Sequence, residues 1–237
     1  MNRREFIKTA GAGAAAFALA GCNRFSMSGK TTAKKPNIIY ILADDLGYSA
    51  LGCYGQKIIK TPNLDQMAAK GVRFTQHYSG STICAPSRCS LMSGLHTGHC
   101  FIRRNDRIEN PVGNVALPYG VVTVGELLQK AGYRTGIIGK WGLGGPNSSG
   151  VPNKQGFDYF YGFLDQKHAH YYYPTYVWRN DQKVALEGND PKKSTGKYVH
   201  DLFTDEAVEF VKRNRNNSFY LYLAYTIPHT RIEVPED

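Results

Sequence analysis

Three short apolar runs set the strongest limit on what this chain can fold into. They are Asn37 to Ala43 (NIIYILA), Arg134 to Gly139 (RTGIIG) and Phe219 to Tyr225 (FYLYLAY). Each is rich in β-branched, aromatic or other strand-forming residues, and none alternates with polar residues. Such a run predicts a strand buried on both faces, the kind found in parallel sheets covered by helices. Each run also ends on polar groups: Asp44-Asp45 after the first, Lys140 after the second, and Thr226-Ile227-Pro228-His229 after the third. In open α/β sheets ligands bind beyond the carboxyl ends of the strands. Three strands that each deliver a polar group at one edge therefore predict a site there.

Helical segments separate the runs. Thr61-Pro62-Asn63-Leu64-Asp65 has an N-cap residue, a proline in the first turn and an early acid, with Gly71 as the stop. Val72 to Tyr78 reads as a further strand. Thr123-Val124-Gly125-Glu126 has the pattern of a capping box, with Leu127, Leu128 and Ala131 expected on the buried face and Gly132 closing the helix. Tyr198 to Asn214 places Leu202, Phe203, Ala207, Phe210 and Val211 at helical spacing. Residues 144–191 are rich in Gly, Asn, Tyr and Pro and read as loops and short strands. The succession predicts an α/β fold with a mostly parallel central sheet flanked by helices.

The chain has 237 residues, of which 42% are hydrophobic and 20% charged, an ordinary globular balance that excludes a disordered chain. Its start reads as a targeting segment. Arg3-Arg4-Glu5-Phe6-Ile7-Lys8 is a twin-arginine pattern, followed by an Ala/Gly-rich stretch too short to span a bilayer. Leu19-Ala20-Gly21-Cys22 resembles a lipobox, so lipidation of Cys22 is expected. This makes residues 1–22 a signal, 23–35 a Ser/Thr/Lys/Gly-rich tether, and 36–237 the folded portion. The expected location is the periplasm or cell envelope, with the membrane met through the lipid only. Net charge is +10; removing Arg3, Arg4, Lys8 and Glu5 with the signal lowers it by two to about +8. A basic surface attracts polyanions, but no basic run is long enough to argue for nucleic acid. The five cysteines, Cys22, Cys53, Cys84, Cys89 and Cys100, contain no C-x-x-C pair, which argues against a zinc ribbon. Cys53, Cys89 and Cys100 leave room for one disulfide, with the pair open.

Cys84-Ala85-Pro86-Ser87-Arg88 is followed by Ser90-Leu91-Met92-Ser93-Gly94-Leu95-His96-Thr97-Gly98. This stretch resembles the C-x-P-S-R signature of the formylglycine-dependent sulfatases, which share the alkaline-phosphatase-like fold. The resemblance extends to NIIYILADDLGY, GCYG, TPNLDQMAAKGVRF, GIIGKWGLG, QGFDYFYG and YLAYTIPH, nearly the whole span from Pro36 to His229. It implies that a maturating enzyme oxidises Cys84 to formylglycine, whose hydrated aldehyde is the nucleophile. It implies that Asp44 and Asp45, together with the converted Cys84, bind a divalent cation, calcium first and magnesium second. Arg88 would orient the hydrate, Lys140 would neutralise sulfate charge, and His229 would bind sulfate or protonate the leaving oxygen.

Two departures from the family pattern stand out. Many sulfatases read G-K-W-H where this chain has Gly139-Lys140-Trp141-Gly142, so the histidine expected at Gly142 is absent. His168 and His170 are candidates for the missing base or for substrate contact. The family's later metal ligands, a later sulfate-binding lysine and a smaller C-terminal domain are not found before Asp237, so the chain is expected to be an incomplete fragment, weakly active alone. The implied activity is sulfuric ester hydrolysis, with a sulfated carbohydrate as the expected substrate because Tyr171-Tyr172-Tyr173-Pro174, Tyr176 and Trp178 could stack on sugar rings. The same rings could equally be packing under loops. Two other readings remain: a phosphonate monoester hydrolase or phosphodiesterase of the same superfamily, and a sulfated-glycan-binding lipoprotein without turnover.

Overall fold

The computed structural model describes residues 35–109 and 112–235. The expected signal with Cys22, and the expected tether as far as residue 34, lie outside the described residues. Among the described residues six strands form one sheet: β1 (Ile38–Leu42), β4 (Arg134–Lys140), β5 (Tyr159–Phe163), β6 (Tyr176–Arg179), β7 (Gln182–Ala185) and β8 (Phe219–Ala224). Their order is β1-β8-β4-β5-β6-β7. The first four in that order are parallel, and β6 and β7 close the sheet antiparallel. A two-stranded ribbon, β2 (Arg107–Glu109) and β3 (Val112–Asn114), stands apart. The helices are α1 (Pro62–Lys70), α2 (Cys84–Ser93), α3 (Val124–Lys130) and α4 (Val199–Arg213).

The strand β8 sits between β1 and β4, and all six of its residues are buried. Its side chains alternate between two cores. Tyr220, Tyr222 and Ala224 join Ala85, Cys89 and Met92 of α2 and Trp141 on one face. Phe219, Leu221 and Leu223 join Phe203, Ala207 and Phe210 of α4 on the other. The apolar positions read for α4 are those that pack, each buried phenylalanine contributing about 1.5–3 kcal/mol.

Four local expectations are corrected. β1 is not buried on both faces. It is an edge strand, with Ile38, Tyr40 and Leu42 on the α2 core, while Ile39 and Ile41 are half exposed on the face that α4 does not cover. Residues 72–78 form no strand; Val72, Phe74 and Tyr78 are exposed and no neighbouring strand supplies a ladder. In α3 the Thr123 hydroxyl accepts from the Glu126 amide as the capping pattern requires, but Leu127 and Ala131 face outward. The helix is so close to residues 155–157 that Gly125, with Val124 and Leu128, makes the contact. Thr61 precedes α1 without capping it; its hydroxyl instead accepts from Gly52 N at 2.9 Å and donates to Asp65 at 3.0 Å. The four described cysteines, Cys53, Cys84, Cys89 and Cys100, are free thiols.

Candidate active site

The parallel strands bring their terminal polar groups together, as the sequence pattern predicts. The Asp44 amide donates to the Ile227 carbonyl at 2.9 Å, tying the end of β1 to the loop that carries His229. Lys140, the last residue of β4, is fully buried, and its Nζ donates to Asp44 Oδ2 at 2.6 Å. Arg88, on the first turns of α2, is buried on the other side of the same carboxylate, with Nη2 3.5 Å from Asp44 Oδ1. Its Nη1 donates to the Lys140 carbonyl and to the Tyr222 hydroxyl, the latter at 3.2 Å. Asp44 thus balances two buried cations. Burial alone raises its pKa, but the Arg88 and Lys140 charges outweigh that and hold the carboxyl below the usual carboxylate range.

Cys84 is the first residue of α2 and opens onto a cavity of about 180 Å³ lined also by Asp44, Asp45, Ser87 and Arg88. Potential ligand atoms of Asp44, Cys84 and His229 all lie within 4.8 Å of one another. Asp45 takes a left-handed backbone conformation (φ 63°), and its largely exposed carboxylate lies 3.4 Å from His229 Nε2. His229 Nδ1 lies 3.1 Å from the Thr230 carbonyl and 3.3 Å from the Thr230 hydroxyl, so it can donate to the first or accept from the second. The backbone of His229 is fixed by Tyr172, whose hydroxyl donates to its carbonyl at 2.6 Å.

The two histidines proposed to replace the one absent at Gly142 part company. The His170 ring stacks on His229 with centroids 4.3 Å apart, and its pKa is lowered by burial and by the Lys140 and His229 charges. His168 points away, packed against Phe163 and Tyr176, where burial lowers its pKa to about 4. Gly142 itself has φ 77°, and a Cβ added there would lie 1.7 Å from Gln166 Nε2. The Gln166 amide therefore fills the space a side chain at 142 would need; it is buried, and neither of its polar atoms has a hydrogen-bond partner. An amide is no base, so His170 is the imidazole that the fold brings to the site. The role of Gln166 was legible only as the puzzle of Gly142. Tyr222 was hidden in an apolar run whose alternation points it toward α2.

The sequence matches the Sulfatase family over residues 36–237. The chain belongs to the sulfatase family. Human arylsulfatase G is 44% identical over 138 residues, 58% of this chain and 26% of the relative. The N-acetylgalactosamine-6-O-sulfatase of Bacteroides thetaiotaomicron is 36% identical over 181 residues, 73% of this chain and 35% of the relative. Among solved structures, Ps i-CgsB in complex with k-i-k-neocarrahexaose matches with TM-score 0.71 and 34% identity, covering 85% of this chain and 47% of that one. The chain therefore spans less than half the length of these sulfatases.

The residues present suit the two groups that sulfatases generally carry. Asp44 offers a hard oxygen ligand for a divalent cation within 4.8 Å of Cys84 and His229, and Asp45 lines the same cavity with a second carboxylate. Arg88 Nη2 is buried and lacks a hydrogen-bond acceptor even with Asp44 Oδ1 nearby, which leaves a guanidinium N–H for an anionic oxygen.

Proposed function

We propose that this chain carries the nucleophile half of an exported sulfuric ester hydrolase acting on sulfated carbohydrates. The observation that carries the reading is the convergence of Cys84, Asp44 and His229 within 4.8 Å, flanked by the buried cations Lys140 and Arg88. The carbohydrate assignment is supported by relatives named for an N-acetylgalactosamine-6-O-sulfate and a neocarrahexaose. A formylglycine-generating or other sulfatase-maturating enzyme is the proposed partner that converts Cys84, calcium the proposed ion, and a lipid on Cys22 the proposed envelope anchor after twin-arginine export.

Formylglycine at Cys84 would supply a geminal diol, one hydroxyl as the nucleophile toward sulfur and the second as the group whose deprotonation would let sulfate leave. Asp44 and Asp45 would hold a divalent cation, which would supply positive charge beside the nucleophile and the sulfate. The remaining work belongs to the chain. Arg88 and Lys140 surround the position where charge accumulates on sulfate, in a water-poor setting where such interactions are strong. Lys140 is anchored on Asp44 in this structure, which holds its ammonium beside the Cys84 cavity, where it would neutralise sulfate charge. His229 Nε2 faces the site edge and is placed to hand a proton to the leaving oxygen; His170, stacked on it, is placed to accept one.

The test compares turnover of an aryl sulfate, sulfated monosaccharides and phosphate diesters, with mass spectrometry of the Cys84 peptide. Sulfate ester preference and an aldehyde at position 84 are expected. Preference for the diester would move the assignment to phosphodiester or phosphonate hydrolysis. An unmodified thiol from a host that makes formylglycine would leave a glycan-binding protein.

A further inference from the structure

Separate from the Cys84 cavity lies a groove that the reaction does not use. One compartment, about 390 Å³, is lined by Arg107, Lys167, His168, Tyr171, Tyr176 and Lys183. A second, about 550 Å³, continues from it past Pro146, Leu164 and Trp178, which line both. Each is of the size that holds a small-molecule ligand.

The lining has a definite chemistry. Trp178 and Tyr176, edge to face with centroids 6.2 Å apart, give an aromatic wall that is neither buried nor fully exposed. The Lys183 ammonium lies 4.2 Å from the Tyr176 ring centre and 5.8 Å from that of Trp178. Asp165 is already neutralised by Arg107 at 3.2 Å. Lys167 and Lys183 are exposed and, among the described residues, have no carboxylate partner, so this compartment carries uncompensated positive charge. Aromatic faces take the C–H surface of a sugar, and free ammonium groups take sulfate. One chain segment connects the groove to the catalytic site. Lys167, His168 and Tyr171 line the groove, while His170 between them stacks on His229.

We infer that this groove is a subsite for a neighbouring sulfated sugar of an oligosaccharide whose scissile ester sits at Cys84. The inference rests on the sulfated-carbohydrate reading above and adds to it that the substrate is a chain with more than one sulfate.

The experiment measures affinity of the full-length gene product, in its Cys84→Ser form to prevent turnover, for sulfated monosaccharides and hexasaccharides of the chondroitin 6-sulfate and ι-carrageenan series. In at least one series the hexasaccharide should bind about five-fold more tightly than its monosaccharide. Trp178→Ala and the surface double variant Lys167→Gln/Lys183→Gln should each erase that advantage and leave monosaccharide affinity unchanged. Equal losses for both lengths, no loss in either variant, or a loss confined to the lysine variant, the mark of general charge attraction, would overturn the subsite. So would monosaccharide binding without a length advantage, which leaves the sulfated-carbohydrate reading standing. Failure of every sulfated sugar to bind would remove both.

Discussion

At the scale of single residues, the two aspartates differ more than their adjacency suggests. Asp44 is buried between Arg88 and Lys140, whereas the Asp45 side chain is 56% exposed. Asp44→Asn leaves two buried cations without their counter-charge and should cost about 3–5 kcal/mol, read as a lower denaturation midpoint. Asp45→Asn should change stability by less than about 0.5 kcal/mol. Calcium should raise the melting temperature of the parent by binding its folded state, and both substitutions should abolish that rise, a readout independent of turnover. A calcium shift that survives in both variants would remove them as ligands. The imidazoles divide in the same way. His170→Gln should flatten the acidic limb of the pH–rate profile, and His168→Gln should leave the profile's shape unchanged, because only the first ring touches His229.

At the scale of elements, the site depends on how tightly β4 lies between β8 and β5. Gly139 has φ 107°, and a Cβ there would fall 2.0 Å from the Ala224 carbonyl oxygen. Gly139→Ala must therefore push β4 from β8 and displace the adjacent Lys140, at a cost of about 3 kcal/mol or more. A variant as stable as the parent by chemical denaturation would contradict this packing. The strands β1, β4 and β8 and the helix α4 were legible because their apolar patterns are strong, and the burial of β4, β8 and α4 follows from those patterns. β5 was not, since Tyr159–Phe163 lies in a stretch dominated by glycine and aromatic residues. The exposure of Ile39 and Ile41 was not legible either: composition says that a strand can be buried on both faces, but which strand forms the edge is decided by pairing order. Residues 72–78 show the converse, an apolar segment with no ladder to join. Within the site, Asp44, Lys140 and His229 were legible from their places after strands. Gln166 was not, because only the fold reveals what fills the space opposite Gly142.

At the scale of the whole molecule, the buried His200 and the partly buried His168 make stability depend on pH. His200, on α4, is buried and bonded to Thr226 Oγ1 at 2.7 Å, and burial lowers its pKa from 6.5 to about 4. Above about pH 6.5 the ring is neutral in both folded and unfolded chains and contributes no pH dependence. Between about 6.5 and 4 the unfolded chain binds the proton and the folded one does not, so stability falls as pH falls, by up to about 1.4 kcal/mol per unit. His168 acts in the same direction. Guanidinium midpoints measured from pH 7.5 to 4.5 should fall steadily below about 6.5, and His200→Gln should make the decline shallower. An unchanged slope would mean that His200 titrates normally. The central claim, however, concerns one atom position rather than the sum of charges. It is tested most directly by sulfate ester turnover of the full-length gene product, matured in a formylglycine-making host, with and without Cys84→Ala. The account predicts that turnover falls by about a thousand-fold or more; turnover that stays at the parent's level would contradict it.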